Sequence, residues 1–241
     1  MLVSNRLLAC ALIVFTAPFA SIAQSADADL SVMEIGGLYQ KDGKGLYDQV
    51  ISAASAKSDV SFKIQHVPPK RAFANFETGK SLCMAPANTN PDFYNFSFKT
   101  AQSASMTEAK VYIFTKAGSS PVSDVMALKG MKVGVRQGMP YGNNIENSGL
   151  SLIAANSIET NIKKLNAGRI DVFLAYWPDV YAAFDAMGVD PLPHSADQPV
   201  AVHNDAILCR DTPEGRAAVE AFDKGYKAIE GDGTLAKIMG E

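Results

Sequence analysis

Residues 163–179 read KKLNAGRIDVFLAYWPD. The first part closes a helical stretch in which Ile158, Ile162 and Leu165 recur on one face, and Gly168 ends it. IDVFLA (170–175) is apolar without alternation, the pattern of a strand buried on both faces of a parallel sheet. Tyr176 and Trp177, the single tryptophan, follow directly, before Pro178. In an open α/β sheet ligands bind outside the carboxyl ends of the strands. One stretch thus points to a fold class and to a first pair of candidate site residues.

The same alternation extends in both directions. LSVMEI (30–35) reads as a strand, and Leu46, Val50 and Ala54 mark a helix after a glycine-rich loop. SFKIQHV (61–67) alternates like an edge strand. PPKRAFANFETG reads as a helix starting near Pro69, with Phe73 and Phe76 inward and Gly79 at its end. LCMA (82–85) is the third strand, and this β-α-β-α-β order predicts a parallel sheet covered by helices. A second unit opens at KVYIFTK (110–116) and includes the strand 132–135, the turn at Gly138 and a capping box of Asn156 with Glu159. PLPHSADQP (191–199) reads as a return connection to the strand AILC (206–209). Thr212-Pro213-Glu214 then starts a helix with Val219, Phe222, Tyr226 and Ile229 inward, and GDGT separates it from a short terminal helix.

Composition narrows the function. The chain has 241 residues and a formal charge of −3. LLACALIVFTAPFASIA, ending in Ser21 and Ala23, reads as a signal peptide over 1–23. It is shorter than the ~20 residues of a spanning helix, proline interrupts it, and Cys10 precedes most of the apolar run, which argues against a lipid anchor. Without it 21 basic residues face 25 acidic ones, and a mildly acidic chain without a basic run is a poor nucleic-acid binder. His66, His194 and His203 show no metal-ligand spacing, so no metal and no cofactor are expected. Cys83 and Cys209 lie in apolar strand-like runs, where buried free thiols are commoner than bridges, although an exported compartment permits a disulfide.

Four segments stand in a familiar order: PPKRAFANFETGK, LKGMKVGVRQG, LNAGRIDVFLA and AFDKGYKAIEGDGTLAKIMGE. Together they resemble the bacterial extracellular solute-binding proteins of family 3, across essentially the whole mature chain. The resemblance implies the two-lobed type II periplasmic binding fold, α/β in class, each lobe a mostly parallel sheet flanked by helices. Lobe one would hold 28–103 and 204–241, lobe two 104–203, with the ligand cleft between them. It further implies a monomer in the periplasm that captures a small solute by hinge closure and delivers it to the membrane permease of an ABC importer. Two departures matter. The "T-x-x-R" segment that grips an amino-acid carboxylate in this family reads PANTNPDFYNF here, without arginine, and the acid that takes the ammonium is replaced by Tyr176. A small polar, anionic or partly aromatic solute is expected in place of a standard α-amino acid.

Candidate ligand residues follow from position. Tyr176 occupies the family's acid position, while Trp177 either lines the cleft or caps the core. Lys70 and Arg71 sit in the first turn of a helix, where cations are disfavoured unless an anion compensates them; otherwise they are a solvated pair. Asn88, Thr89 and Asn90 follow the third strand and are either short polar ligand contacts or a turn. Gln137, Gly138, Met139 and Tyr141 form the turn of the second lobe, where glycine permits close backbone approach. Tyr39 lies in the loop after the first strand. Arg169 and Asp171 read as structural. No carboxylate pair, Cys–His pair or Ser–His signature supports catalysis, and Glu34 and Asp179 stand without evident partners. A sensor presenting its solute to a membrane receptor is the alternative, and a dehydratase-like enzyme a lesser one.

Overall fold

The structure, a computed structural model, describes residues 26–240, so the expected leader over 1–23 lies outside the described residues. β1 (Ala26–Met33), α1 (Leu46–Ser55), β2 (Val60–Val67), α2 (Pro69–Glu77) and β3 (Cys83–Ala87) follow the expected order. β1 pairs in parallel with both β2 and β3, which leaves β2 at the sheet edge its alternation predicts. α2 begins on Pro69, whose missing N–H costs nothing in a first turn, and it buries Ala72 and Phe76 with Phe73 half-buried.

The chain continues through β4 (Thr100–Gln102), β5 (Thr107–Phe114), β6 (Lys132–Arg136), α3 (Asn143–Glu146), β7 (Ser151–Ala155), α4 (Ile158–Asn166), β8 (Val172–Trp177) and α5 (Asp179–Met187). It returns through β9 (Ala201–Arg210) to α6 (Pro213–Gly231) and α7 (Thr234–Met239). The strands run β2-β1-β3-β9-β5-β8-β6-β7, with β4 beside β9. β9 joins the halves: Ala206, Leu208 and Cys209 pair with β3, while Ala201–Asp205 pair with β5. One apolar core draws on both ends of the chain, from Leu30 and Phe76 to Phe222 and Ile229. Two further cores lie around β8, one packed on Phe114, Phe173 and Phe184, the other on Val111, Leu174 and Tyr176.

Several expectations need correction. The sheet is mixed: β6 runs parallel to β7 and β8, but β5 and β9 run antiparallel to their neighbours, because β9 enters from the return connection. The N-cap of α4 is Ser157 in place of Asn156; its hydroxyl accepts from Thr160 N at 3.2 Å. Cys83 and Cys209 are disulfide-bonded, not free thiols. They are direct partners in the β3–β9 register, so the pairing of strands 126 residues apart brings them together, which no local pattern announces. Among the described residues no helix is long and apolar enough to cross a membrane, and no group of three or more His, Cys, Asp or Glu could hold a metal ion.

Candidate ligand site

The two halves meet along a seam. Asn143 donates to Asp92 through its backbone, at 3.0 Å to the carbonyl, and through its side chain, at 3.0 Å to Oδ1. Arg136 Nη2 donates to the Glu34 carbonyl at 2.5 Å. Gly138, at φ +79°, lies so close to α2 that a Cβ there would stand 2.6 Å from Lys70 N. Glycine is required there twice over, by its left-handed backbone and by the approach of the other half.

The axis of the seam is filled by the protein itself. Asn90 N donates to Asn88 Oδ1 at 2.8 Å, which turns the Asn88 amide nitrogen toward Asn204 O (2.8 Å) and His203 Nδ1 (3.0 Å). His203 Nε2 lies 3.0 Å from the Tyr176 hydroxyl, which donates to the Pro140 carbonyl. Burial lowers the His203 pKa and favours the neutral ring, whose Nδ1 lies 3.0 Å from Asn88 Nδ2 and 3.2 Å from the Asn204 carbonyl. Its 3.7 Å contact with Asp205 is therefore not an ion pair. Asp205 accepts from the Tyr47 hydroxyl at 2.9 Å, and burial pushes its carboxyl up to about 7. The gap beside this chain, lined among others by Tyr94, Met139, Trp177 and Asp205, has about 10 Å³, the room of a single water.

To one side a chamber of about 430 Å³ opens between the halves. Its walls come from the loop after β1 (Glu34 to Lys41), from Arg136 at the end of β6, from Ser157–Glu159 at the start of α4, and from Asp179, Ala182, Ala183 and Ala186 of α5. The loop after β1 closes on itself through Ile35 and Tyr39 (2.9 and 3.1 Å), and Gly36 and Gly37 pass against Ala182. This places Tyr39, 1% exposed, edge-on to Tyr47 at 5.3 Å. The Arg136 backbone N–H donates to the Tyr141 hydroxyl at 2.9 Å, which anchors the strand end that carries the guanidinium.

Three chamber residues hold buried polar atoms without a protein partner: Tyr39 Oη, Arg136 Nε and Asp179 Oδ1. Burial raises the Asp179 pKa to about 7 although the Arg136 charge pulls it down, so the two side chains interact across a distance without bonding. Glu34 is tied to Lys41 at 3.1 Å.

The expected site residues fall into separate places. Tyr39 lines the chamber. Tyr176 and Met139 line the axial gap, as does Trp177, which is 44% exposed. Asn88, Thr89 and Asn90 line a third cavity, of about 450 Å³, with Gln102 Oε1 accepting from Thr89 N at 2.7 Å. Lys70, Gly138 and Met139 line a surface recess on the far side. Tyr141 is buried beneath Arg136, Gln137 is exposed, and Arg71 is exposed on α2 outside all of these cavities. Sequence reasoning passed over Arg136 and His203 and set Asp179 aside. The usable signal for Arg136 was a charged residue closing an apolar strand at its carboxyl end, the same logic that singled out Tyr176.

Two halves, a strand shared between them and chambers at their seam define the type II periplasmic binding protein fold. No family model matches the chain, and no curated protein matches its sequence. Solved structures carry the comparison. A histidine kinase sensor domain with similarity to periplasmic binding proteins is 14% identical at a TM-score of 0.71, over 90% of this chain and 96% of that one. The GluR0 ligand-binding core from Nostoc punctiforme, in complex with L-glutamate, is 13% identical at 0.69, over 88% and 96%. An ancestral arginine-binding protein bound to arginine is 17% identical at 0.66, over 88% and 96%. At these identities the likeness is one of fold.

Proposed function

We propose that this is an exported solute-binding protein that closes two hinged halves, 28–103 with 204–241 and 104–203, around a small polar solute. It acts in the periplasm as a monomer, after removal of the 1–23 leader, and delivers its solute to the permease of an ABC importer. One observation carries the reading: a chamber of about 430 Å³ between the halves takes its walls from both. A solute that touches walls from both halves at once favours the closed form over the open one. The chamber also falls within the ~300–1,000 Å³ typical of small-molecule sites. Binding proteins and ligand-binding domains among the solved structures of this fold support the same reading. The kinase sensor domain supports a second one, in which the closed form is presented to a membrane receptor.

Native mass spectrometry of the protein recovered from the periplasm, paired with thermal shifts over a metabolite panel, tests this. A small adduct, or a rise in melting temperature that grows with concentration, is expected. No adduct and no shift across the panel would refute solute binding.

A further inference from the structure

We propose that the strands crossing between the halves carry a second binding site, for a neutral carbohydrate of at least two linked sugar rings, on the face turned away from the axial chain. This site goes beyond the solute-binding reading and shares no residue with the lateral chamber.

Strand register places the site. Lys110 of β5 pairs directly with Trp177 of β8 on one side and with Val202 of β9 on the other. Directly opposed residues project to the same face of a sheet, and residues adjacent in sequence project to opposite faces. Tyr176 and His203 therefore turn to the axial chain, while Trp177, Lys110 and Val202 form one row across three strands on the reverse face. Trp177 is 44% exposed and Val202 41%, two of the four large apolar side chains exposed among the described residues. Scattered singly such residues mean little; aligned in one row beside a polar cavity they mark a contact surface.

The cavity of about 450 Å³ supplies the polar part, with Thr89, Asn90, Gln102, Glu108, Val202 and Asn204 among its walls. Glu108 and Asn204 are themselves direct partners, two residues along from Lys110 and Val202 and so on the same face. Two of the amides are already oriented. Gln102 Oε1 accepts from Thr89 N at 2.7 Å and from its hydroxyl at 3.0 Å, and Asn90 Oδ1 accepts from Asp92 N at 3.0 Å. With their oxygens engaged, both keep their NH2 donors for a ligand, and Asn204 adds a third amide. Glu108 brings acceptor oxygens, and Lys110 Nζ, 3.1 Å from its Oε1, balances the charge.

This inventory selects the ligand class. A sugar ring offers an apolar C–H face to a flat or branched side chain, and a rim of hydroxyls that each donate and accept. Amide donors beside a carboxylate acceptor match neighbouring hydroxyls. An ion of either sign gains little, because Glu108 and Lys110 neutralise each other. A purely apolar ligand would strip water from the amides without pairing them. Val202 lines the cavity and Trp177 stands two strand spacings from it, roughly 10 Å. One ring in the cavity and a second against Trp177 are therefore required.

Trp177 is the single tryptophan, so its fluorescence reports on the site directly. The test titrates the mature protein at pH 7 with glucose and N-acetylglucosamine, then with maltose, cellobiose and N,N′-diacetylchitobiose. At least one disaccharide should give a saturable fluorescence change, with half-saturation about tenfold or more below that of its monosaccharide. Co-sedimentation with insoluble cellulose and chitin tests the same chemistry presented by a polymer in place of a free sugar, and binding that depends on Trp177 in either arm supports the site. By calorimetry, Trp177→Ala and Asn204→Ala should each weaken the best disaccharide about tenfold. Trp177→Phe, which keeps a flat ring, should retain most of the affinity, and unchanged melting curves separate these losses from misfolding. No Trp177-dependent binding in either arm, equal affinity for monosaccharide and disaccharide, or full affinity in both alanine variants would each overturn the proposal. None of these results touches the solute-binding reading, which is decided by the adduct and the metabolite panel.

Discussion

Two neighbouring regions of the seam differ in how their polar groups are satisfied. Along the axis, Asn88, His203, Tyr176 and Pro140 pass hydrogen bonds from one half to the other and leave room for about one water. In the lateral chamber, about 430 Å³ is bounded by Tyr39, Arg136 and Asp179, each with a buried atom that has no protein partner. The first arrangement is self-sufficient and positions the halves. The second leaves an open volume with walls from both halves. Aromatic richness is therefore a poor marker of the site: aromatics crowd the saturated axis, and the charges mark the chamber.

The largest expected effect comes from releasing the frame that carries both regions. Replacing both Cys83 and Cys209 by alanine should cost about 2–5 kcal/mol in denaturant unfolding, since the bridge closes a long loop between β3 and β9. A smaller loss would show that strand pairing alone holds the seam.

Next comes pH. Asp179 and Asp205 each have a carboxyl raised from 3.8 to about 7 in the folded state. For an acid raised in this way the folded form holds its proton more tightly. The stability it contributes is present at low pH and is lost as pH rises from about 4 to about 7, on the order of 2–4 kcal/mol per group. His203, lowered by burial, acts in the opposite direction below about 6.5, and the two acids outweigh it. The melting temperature should therefore be higher at pH 5 than at pH 8, and Asp179→Asn should flatten the profile. A rise in stability over that window would contradict the burial of both acids.

Gly138→Ala probes the approach of the halves. A methyl group 2.6 Å from Lys70 N, on a left-handed residue, should hold the cleft ajar and weaken solute binding about tenfold, with a larger radius of gyration in solution scattering. An unchanged radius would mean that Lys70 yields. The smallest effect belongs to Tyr176→Phe, which removes one hydroxyl from the axial chain at about 1 kcal/mol of stability. If that variant lost more solute affinity than Arg136→Lys, the ligand would belong on the axis and the contrast would reverse.

Much of this was legible in the chain. The apolar strand after Gly168, the proline-led start of α2 and the edge character of β2 all rest on interactions within a few residues, and they stand where periodicity placed them. The short strands β4 and β7 and the helices α3 and α5 escaped, being brief or ambiguous in pattern. Among candidate residues, Tyr39 does line the lateral chamber, and Tyr176 stands at the seam within the axial chain. Arg136 and Asp179 were missed as a pair because they come to one chamber only once β6 pairs with β8, the strand that leads into α5.

The longer, strongly patterned strands and helices, the mildly acidic composition and the strand-end aromatics can be read from residues alone, since local propensity and periodicity decide them. The antiparallel course of β9, the Cys83–Cys209 bridge and the charges held apart across the chamber cannot. Each depends on segments far apart in the chain being brought together, and that proximity is settled by tertiary packing.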